Sequence, residues 1–398
     1  MENITHSLVG AALADAALRP AASRGARRLF FAAGLAAANA PDLDLLYTGI
    51  TPMPLGYLLH HRGHTHTVPG LAGQMALIGI FCVALPIVRS LSRDDRLRLA
   101  FVIAAGLASH LLLDAGNSYG VHPYWPLDNR WYFGDAIFIS EPWLLAVLGV
   151  AAVLNARTRY GQILAGCVSA LPALGLWVVG LITPVTVITL MIAVAMFVWA
   201  ARPRSSRWRA AAALTVVAAS GFALFGLSRM ARAEVIEQMG TSQAHDVLDV
   251  ILTPNPALPL CYSVIVIDTQ EAADVLRMRR GAFSFAPRWR TAPACPLFRA
   301  AGAPTPLAGS SSRLAWSEDV QQSIAALQVL EQSNCRARAW LRFGRAPVVR
   351  AGRMFDLRFE NPLQGNFTAM ALGHAETCPG NVPAWGMPRD DLLSDDAR

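Results

Sequence analysis

Nine histidines occur in the 398 residues, and seven of them precede residue 123, interleaved with aspartates. His6 lies early in the chain. Asn39-Ala40-Pro41-Asp42-Leu43-Asp44 follows an apolar run, and the next connection reads His60-His61-Arg62-Gly63-His64-Thr65-His66. A later apolar run ends Ser109-His110-Leu111-Leu112-Leu113-Asp114. The i, i+4 spacing puts His110 and Asp114 on one helix face. Imidazole with carboxylate is the ligand set of zinc, manganese or iron. Taken singly, each piece has a plainer reading. His6 reads as a solvated or capping residue, Asp42 and Asp44 as a turn after Pro41, and His110 with Asp114 as a hydrogen-bonded pair. The metal expectation rests on their convergence. His122, Asp128, Asp135 and Glu141 are further candidates at wider spacing. His245 and His374 are isolated and receive no role.

The elements that must position these groups are apolar. Hydrophobic residues make up 54% of the chain and charged ones 15%, against about 45–50% and 25% in soluble proteins. Lipid is the expected solvent. Eight apolar segments are expected as helices at about 3–18, 29–50, 69–88, 98–115, 137–155, 162–181, 184–201 and 210–228. A span needs about 20 residues, or about 17 at the short end, so the Ala-rich first segment is marginal. The N-terminus carries no positive charge ahead of that segment and reads as retained rather than as a cleaved signal. No internal repeat is visible.

All 34 cations are arginine. Fourteen lie on alternate connections: Arg19 to Arg28, Arg89 to Arg98, Arg157 with Arg159, and Arg202 to Arg209. The opposite connections hold only Arg62 and Arg130. Basic loops stay cytoplasmic, so every candidate ligand is expected at the outer, periplasmic face. The net charge of +7 is therefore a topology signal, and no nucleic-acid partner is expected.

After residue 229 prolines and turns multiply. Cys261, Cys295, Cys335 and Cys378 all fall in this part. Four cysteines there suggest two disulfides in an oxidising compartment, with three pairings open. Cys82 and Cys167 read as small core residues. Strands are expected at 261–268, 338–343 and 353–359, and an amphipathic helix at 318–333, with Val320, Ile324, Leu327 and Leu330 on one side. The expected fold class is mainly α: a polytopic transmembrane bundle at 1–229, a small periplasmic α+β domain at 230–388, and a disordered tail at 389–398.

Several motifs together resemble a known family. They are Thr5-His6 with Gly10, Pro41-Asp42-Leu43-Asp44, His61-Arg62-Gly63-His64-Thr65-His66, and His110-Leu111-Leu112-Leu113-Asp114 with Tyr119-Gly120. Trp125-Pro126 and Gly134-Asp135 are also similar. The family is that of predicted inner-membrane metal-dependent hydrolases described as LexA-regulated or LexA-binding, and the likeness covers about residues 1–230. It implies a metal; the imidazole and carboxylate chemistry of the cluster suits one or two divalent ions, zinc first and manganese or iron next. The implied ligands are His6, Asp42, Asp44, His61, His66, His110 and Asp114. His64 is also a candidate ligand, although it stands at a variable position of the family's pattern. It implies hydrolysis and names no substrate.

A site at the lipid–water interface suits a membrane lipid or lipid-linked ester. Arg62 would stabilise developing negative charge, and Asp135 or Glu141 would act as general base or ligand orienter. Two alternatives stay open: a non-catalytic envelope protein with a structural metal, and a metal transporter or sensor.

Overall fold

The computed structural model describes residues 2–239, 246–270, 274–296, 306–360, 365–373 and 377–393. His245 and His374 lie outside them. The expected apolar segments fold as helices: α1 (Asn3–Ala17), α2 (Arg24–Asn39), α3 (Leu55–His60), α4 (Val68–Ala84), α5 (Pro86–Arg89), α6 (Arg93–Ala115), α7 (Pro142–Asn155), α8 (Arg159–Val178), α9 (Pro184–Ala201) and α10 (Ser206–Met239). A 3-10 stretch, Ala40–Ile50, extends α2. Local signals set the starts. The hydroxyls of Ser23, Thr67, Ser92, Thr158 and Thr183 accept a first-turn N–H of α2, α4, α6, α8 and α9, satisfying groups that would otherwise lack partners.

Among the described residues, five helices are long and apolar enough to cross a membrane, or six if the pair Leu55–His66 and Val68–Ala84, bent by 67°, is one span. The expected apolar segments are all helical, but not every helix has the length of a full span. α1 and α7, at 15 and 14 residues, are too short for the hydrocarbon core by themselves. α1 is instead an interior helix, packed by α2, α6, α7 and α10. Gly10 faces Gly34 so closely that a Cβ on either would collide with the other's carbonyl oxygen. Small residues of this kind let helix backbones approach in lipid. α8 has no buried residue. That corrects Cys167, which is exposed on α8, whereas Cys82 is buried as expected.

α10 has 34 residues, about 51 Å at 1.5 Å per residue, against a hydrocarbon core of about 30 Å. Its last turns carry Ala231 and Val235 into a core with Val250, Leu252, Tyr262, Val264 and Phe283. The helix thus runs through residue 229 without a break and into an antiparallel sheet, β1 (Asp246–Asn255), β2 (Leu258–Gln270), β3 (Val275–Ser284) and β4 (Leu314–Ser323), in that order. A smaller sheet holds β5 (Pro347–Arg350), β6 (Arg353–Asp356) and β7 (Met370–Ala371). Cys261 pairs with Cys295 and Cys335 with Cys378.

Four local expectations are corrected. Residues 338–343 are not a strand, because Asn334 caps the helix Cys335–Leu341 by accepting from the N–H groups of Arg336 and Ala337. The helix expected at 318–333 begins only at Ile324, capped by Ser323, since the preceding residues pair with β3. The strand expected at 353–359 ends at Asp356 and gives way to a 3-10 turn. The tail is ordered as far as Leu393: Arg389 is buried and Asp390–Leu393 is helical. Residues 394–398 lie outside the described residues.

The distal sheets are seated on the loops at 51–67 and 116–136. One hydrophobic core joins Leu55, Leu58, Leu59 and Tyr119 to Ile265, Met278, Trp340, Phe343 and Trp385. Hydrogen bonds fasten the seam: Trp385 Nε1 to the Leu59 carbonyl at 2.7 Å, Arg358 Nη1 to Ser118 at 2.7 Å, and Trp131 Nε1 to Arg342 at 2.7 Å.

Candidate metal centre

Four separate elements bring ligand atoms to one point. The 3-10 extension of α2 supplies Asp42, the 3-10 turn His64–His66 supplies His66, and the last turns of α6 supply His110 and Asp114. His66 Nε2 and His110 Nε2 stand 3.0 Å apart. Asp42 Oδ1 is 3.5 and 3.4 Å from them, and Asp114 Oδ2 is 3.4 and 3.6 Å. Four ligands roughly 2.0–2.1 Å from a tetrahedral zinc would be about 3.3 Å apart. The measured separations bracket that value.

The tautomers carry the argument further. His110 Nδ1 lies 2.7 Å from the Ala38 carbonyl, which can only accept, so Nδ1 carries a proton and Nε2 faces the cluster. Thr65 Oγ1 donates to Asp44 Oδ2 at 2.9 Å. His66 Nδ1 lies 3.1 Å from both that hydroxyl and Asp44 Oδ2. It is therefore also the donor, which leaves Nε2 as the ring atom facing His110 and the two carboxylates. Two ring nitrogens 3.0 Å apart, with the Asp42 and Asp114 carboxylates alongside, form a cluster whose charge a proton or a metal cation can balance. Among the described residues, buried Asp42 Oδ1 has no hydrogen-bond partner and meets the His66 and His110 nitrogens at 3.5 and 3.4 Å, an arrangement that burial makes costly. This donor set fits a divalent ion, with the second ring nitrogen of each imidazole anchored as metal-bound histidines require.

The remaining candidates fall around this point. His6 stacks on His110 at 3.8 Å, with Nε2 3.4 Å from Asp114 Oδ1. Asp44 orients His66 and also accepts from the Arg62 backbone N–H at 2.8 Å. His61 Nδ1 is 3.1 Å from Asp44 Oδ1 and 4.0 Å from Asp42 Oδ1. Asp42, Asp44 and His61 form a second group able to hold an ion, sharing Asp42 with the first. His61 is the member open to solvent, at 11% exposure of its side chain.

The structure does not bring the other candidates to this point. His64 turns away and packs on Trp125 and Trp385, 4.7 and 4.8 Å between ring centroids. Arg62 is buried, and its guanidinium is already engaged by Asp114 Oδ2 at 3.0 Å and Asn117 Oδ1 at 2.8 Å. It positions a ligand rather than facing an open cleft. Asp135 is gripped by Arg345 through both oxygens at 2.9 Å and by Arg232 at 3.1 Å. Both of its oxygens are occupied by guanidiniums and not by the metal-ligand cluster. Glu141 is buried and accepts from the Ala257 N–H at 3.0 Å. Asp128 pairs with Arg130 at the surface. His122 is buried against Trp131 and Trp385, and burial pulls its pKa down to about 3.

Some contributors carry no signal in the sequence. Asn3 donates to Asp42 Oδ2 at 2.7 Å across 39 residues, and no local pattern announces it. Asn117 had a cue, three residues beyond Asp114. Arg345 binds Asp135 from 210 residues away and also holds Asp249 at 2.8 Å. Burial alone would raise the Asp249 carboxyl. Arg345 outweighs that effect and, with Arg389 and Arg232, holds it well below the usual carboxylate range.

Residues 1–183 match the model of a family described as YdjM inner membrane protein, in keeping with the resemblance drawn from the motifs. The matched stretch contains every residue of the centre. No curated protein and no solved structure matches the chain.

Proposed function

We propose that this chain is an inner-membrane, metal-dependent hydrolase acting on a phospho- or carboxyl-ester of an envelope or lipid substrate. The observation that carries the reading is the convergence of the Nε2 atoms of His66 and His110 on one buried point between two carboxylates. His66, His110, Asp42 and Asp114 would hold the ion, zinc by the tetrahedral spacing, with His6 beside them. A bound divalent ion supplies Lewis acidity, polarising an ester and acidifying water toward neutral pH. Asp44 fixes the His66 tautomer, while Arg62 and Asn117 hold Asp114 in place. His61 lies on the solvent side, against Tyr57 at 5.0 Å between ring centroids, where it can pass protons between the site and water. The arginine bias of fourteen to two and the two disulfides support a periplasmic location for the centre and the distal domain.

A second reading has its own support. His66, His110 and Asp44 are fully buried, as in a closed structural site. One experiment separates the two. Full-length protein purified in neutral detergent is assayed for bound metal, and for hydrolysis of phosphomonoester, phosphodiester and carboxyl-ester panels with short and long acyl chains. The hydrolase reading expects stoichiometric metal and turnover lost on chelation. Metal without turnover favours the structural role, and protein without stoichiometric metal defeats both.

A further inference from the structure

Away from the metal centre, a groove of about 1000 Å³ runs between α1, α2, α7 and α8. It is large by the standard of ligand pockets, which span about 300–1,000 Å³. Its size follows from sequence: Ala11, Ala12, Ala151, Ala152 and Ala165 line it where larger residues would close it. Its walls include Phe31 and Leu164, both exposed, so it opens sideways toward the surrounding lipid.

The two ends differ. One reaches Ile4 and Ser7, beside the metal-bearing end of α1. The other lies eleven residues further along α1 at Leu18, about 16 Å away at 1.5 Å per residue, and is bordered by Arg24, Arg27, Arg28 and Arg157. A single carboxylate, Asp15, shares that mouth and is bonded by Asn155 at 2.8 Å. Arg24, Arg28 and Arg157 make no hydrogen bond or salt bridge to the described residues. The N-termini of α2 and α8 open at the same mouth, through Arg24 and Thr158, and helix N-termini favour anions.

We propose that this groove is a binding site for an anionic phospholipid. Its phosphate would lie among Arg24, Arg28 and Arg157, and its acyl chains along the alanine-lined walls. The occupant follows from complementarity: four guanidiniums against one carboxylate at the mouth, and an apolar trough open to the bilayer behind it. Basic pockets between membrane helices recognise anionic headgroups in this way. The proposal does not depend on the metal reading.

The test is native mass spectrometry of the full chain in neutral detergent, with equal amounts of palmitoyl-oleoyl phosphatidylglycerol and phosphatidylcholine. The wild type should retain phosphatidylglycerol preferentially. The variant Arg24→Gln/Arg28→Gln/Arg157→Gln should lose that preference, at about fivefold per arginine. The variant Arg93→Gln/Arg96→Gln/Arg202→Gln, which removes cations outside the groove, should keep it. Ala152→Phe should reduce retention of lipid by filling the trough, with helical circular dichroism checked for each variant. Absence of preference in the wild type, which needs no variant, would overturn the proposal. So would equal loss in both arginine variants, unchanged retention in Ala152→Phe, or equal binding of glycerol phosphate without acyl chains.

Discussion

Two histidine clusters lie side by side in this molecule and have opposite surroundings. In one, His66, His110 and His6 stand among Asp42, Asp44 and Asp114. In the other, His64 and His122 stand among Trp125, Trp131 and Trp385. His64 and His66 are two residues apart in a 3-10 turn, which has three residues per turn, so their side chains leave on different sides. One imidazole meets carboxylates and the other meets indoles. A run of histidines therefore does not announce a single site. What each ring does is decided by its partners, which lie on other elements: α6 and the 3-10 extension of α2 for one cluster, the 116–136 loop and the distal Trp385 for the other.

The comparison breaks most sharply at the ligands. His66→Ala/His110→Ala should abolish stoichiometric metal, whereas His64→Ala should retain it and lose only packing. Elemental analysis of the purified variants distinguishes these outcomes, and metal lost equally in both would erase the difference between the clusters. Next in size is the buried Asp135–Arg345–Asp249 seam between the 116–136 loop and the distal domain. Arg345→Met leaves Asp135 and Asp249 buried without their main cation, which should cost about 3–5 kcal/mol. Denaturant unfolding should show that loss with metal stoichiometry preserved.

Asp44→Asn sharpens the acidic cluster from within. It removes the charge that anchors the His66 tautomer, and metal affinity should fall about 10–100-fold in a competition titration against a chelator. The smallest effect belongs to His122. Burial lowers its pKa from 6.5 to about 3, so between those values the unfolded chain binds a proton that the folded chain does not. Its neutral form is accommodated fully above pH 6.5, and stability should fall as pH drops below that value. In metal-free protein, thermal midpoints measured from pH 7 to 4 should decline less steeply in His122→Phe. Parallel slopes would contradict this account.

The acidic cluster was legible because its members sit in short, distinct motifs at or next to the ends of apolar segments. Asp42, His66, His110 and Asp114 could be named from residue type and spacing. The indole cluster was not. Its central residue, Trp385, reaches Leu59 across 326 positions, and no local periodicity encodes such a contact. The same holds for Asp135 and Arg345: an aspartate beside a metal motif reads as chemistry until its arginine is found. The helices were legible from hydropathy, but α1 shows the limit, because an interior helix of alanines and a short span have the same composition. In the distal part, the helix Cys335–Leu341 depends on one asparagine cap, which outweighed an apolar pattern that reads as a strand.

The central claim is that the acidic cluster, and not the indole cluster, holds a metal through two imidazoles and two carboxylates. X-ray absorption at the zinc edge of the full-length protein tests it most directly. The account predicts a four-coordinate shell at about 2.0–2.1 Å containing two imidazole rings, unchanged in His64→Ala and collapsed in His66→Ala. A shell without imidazole scattering, or one altered equally by both substitutions, would contradict it.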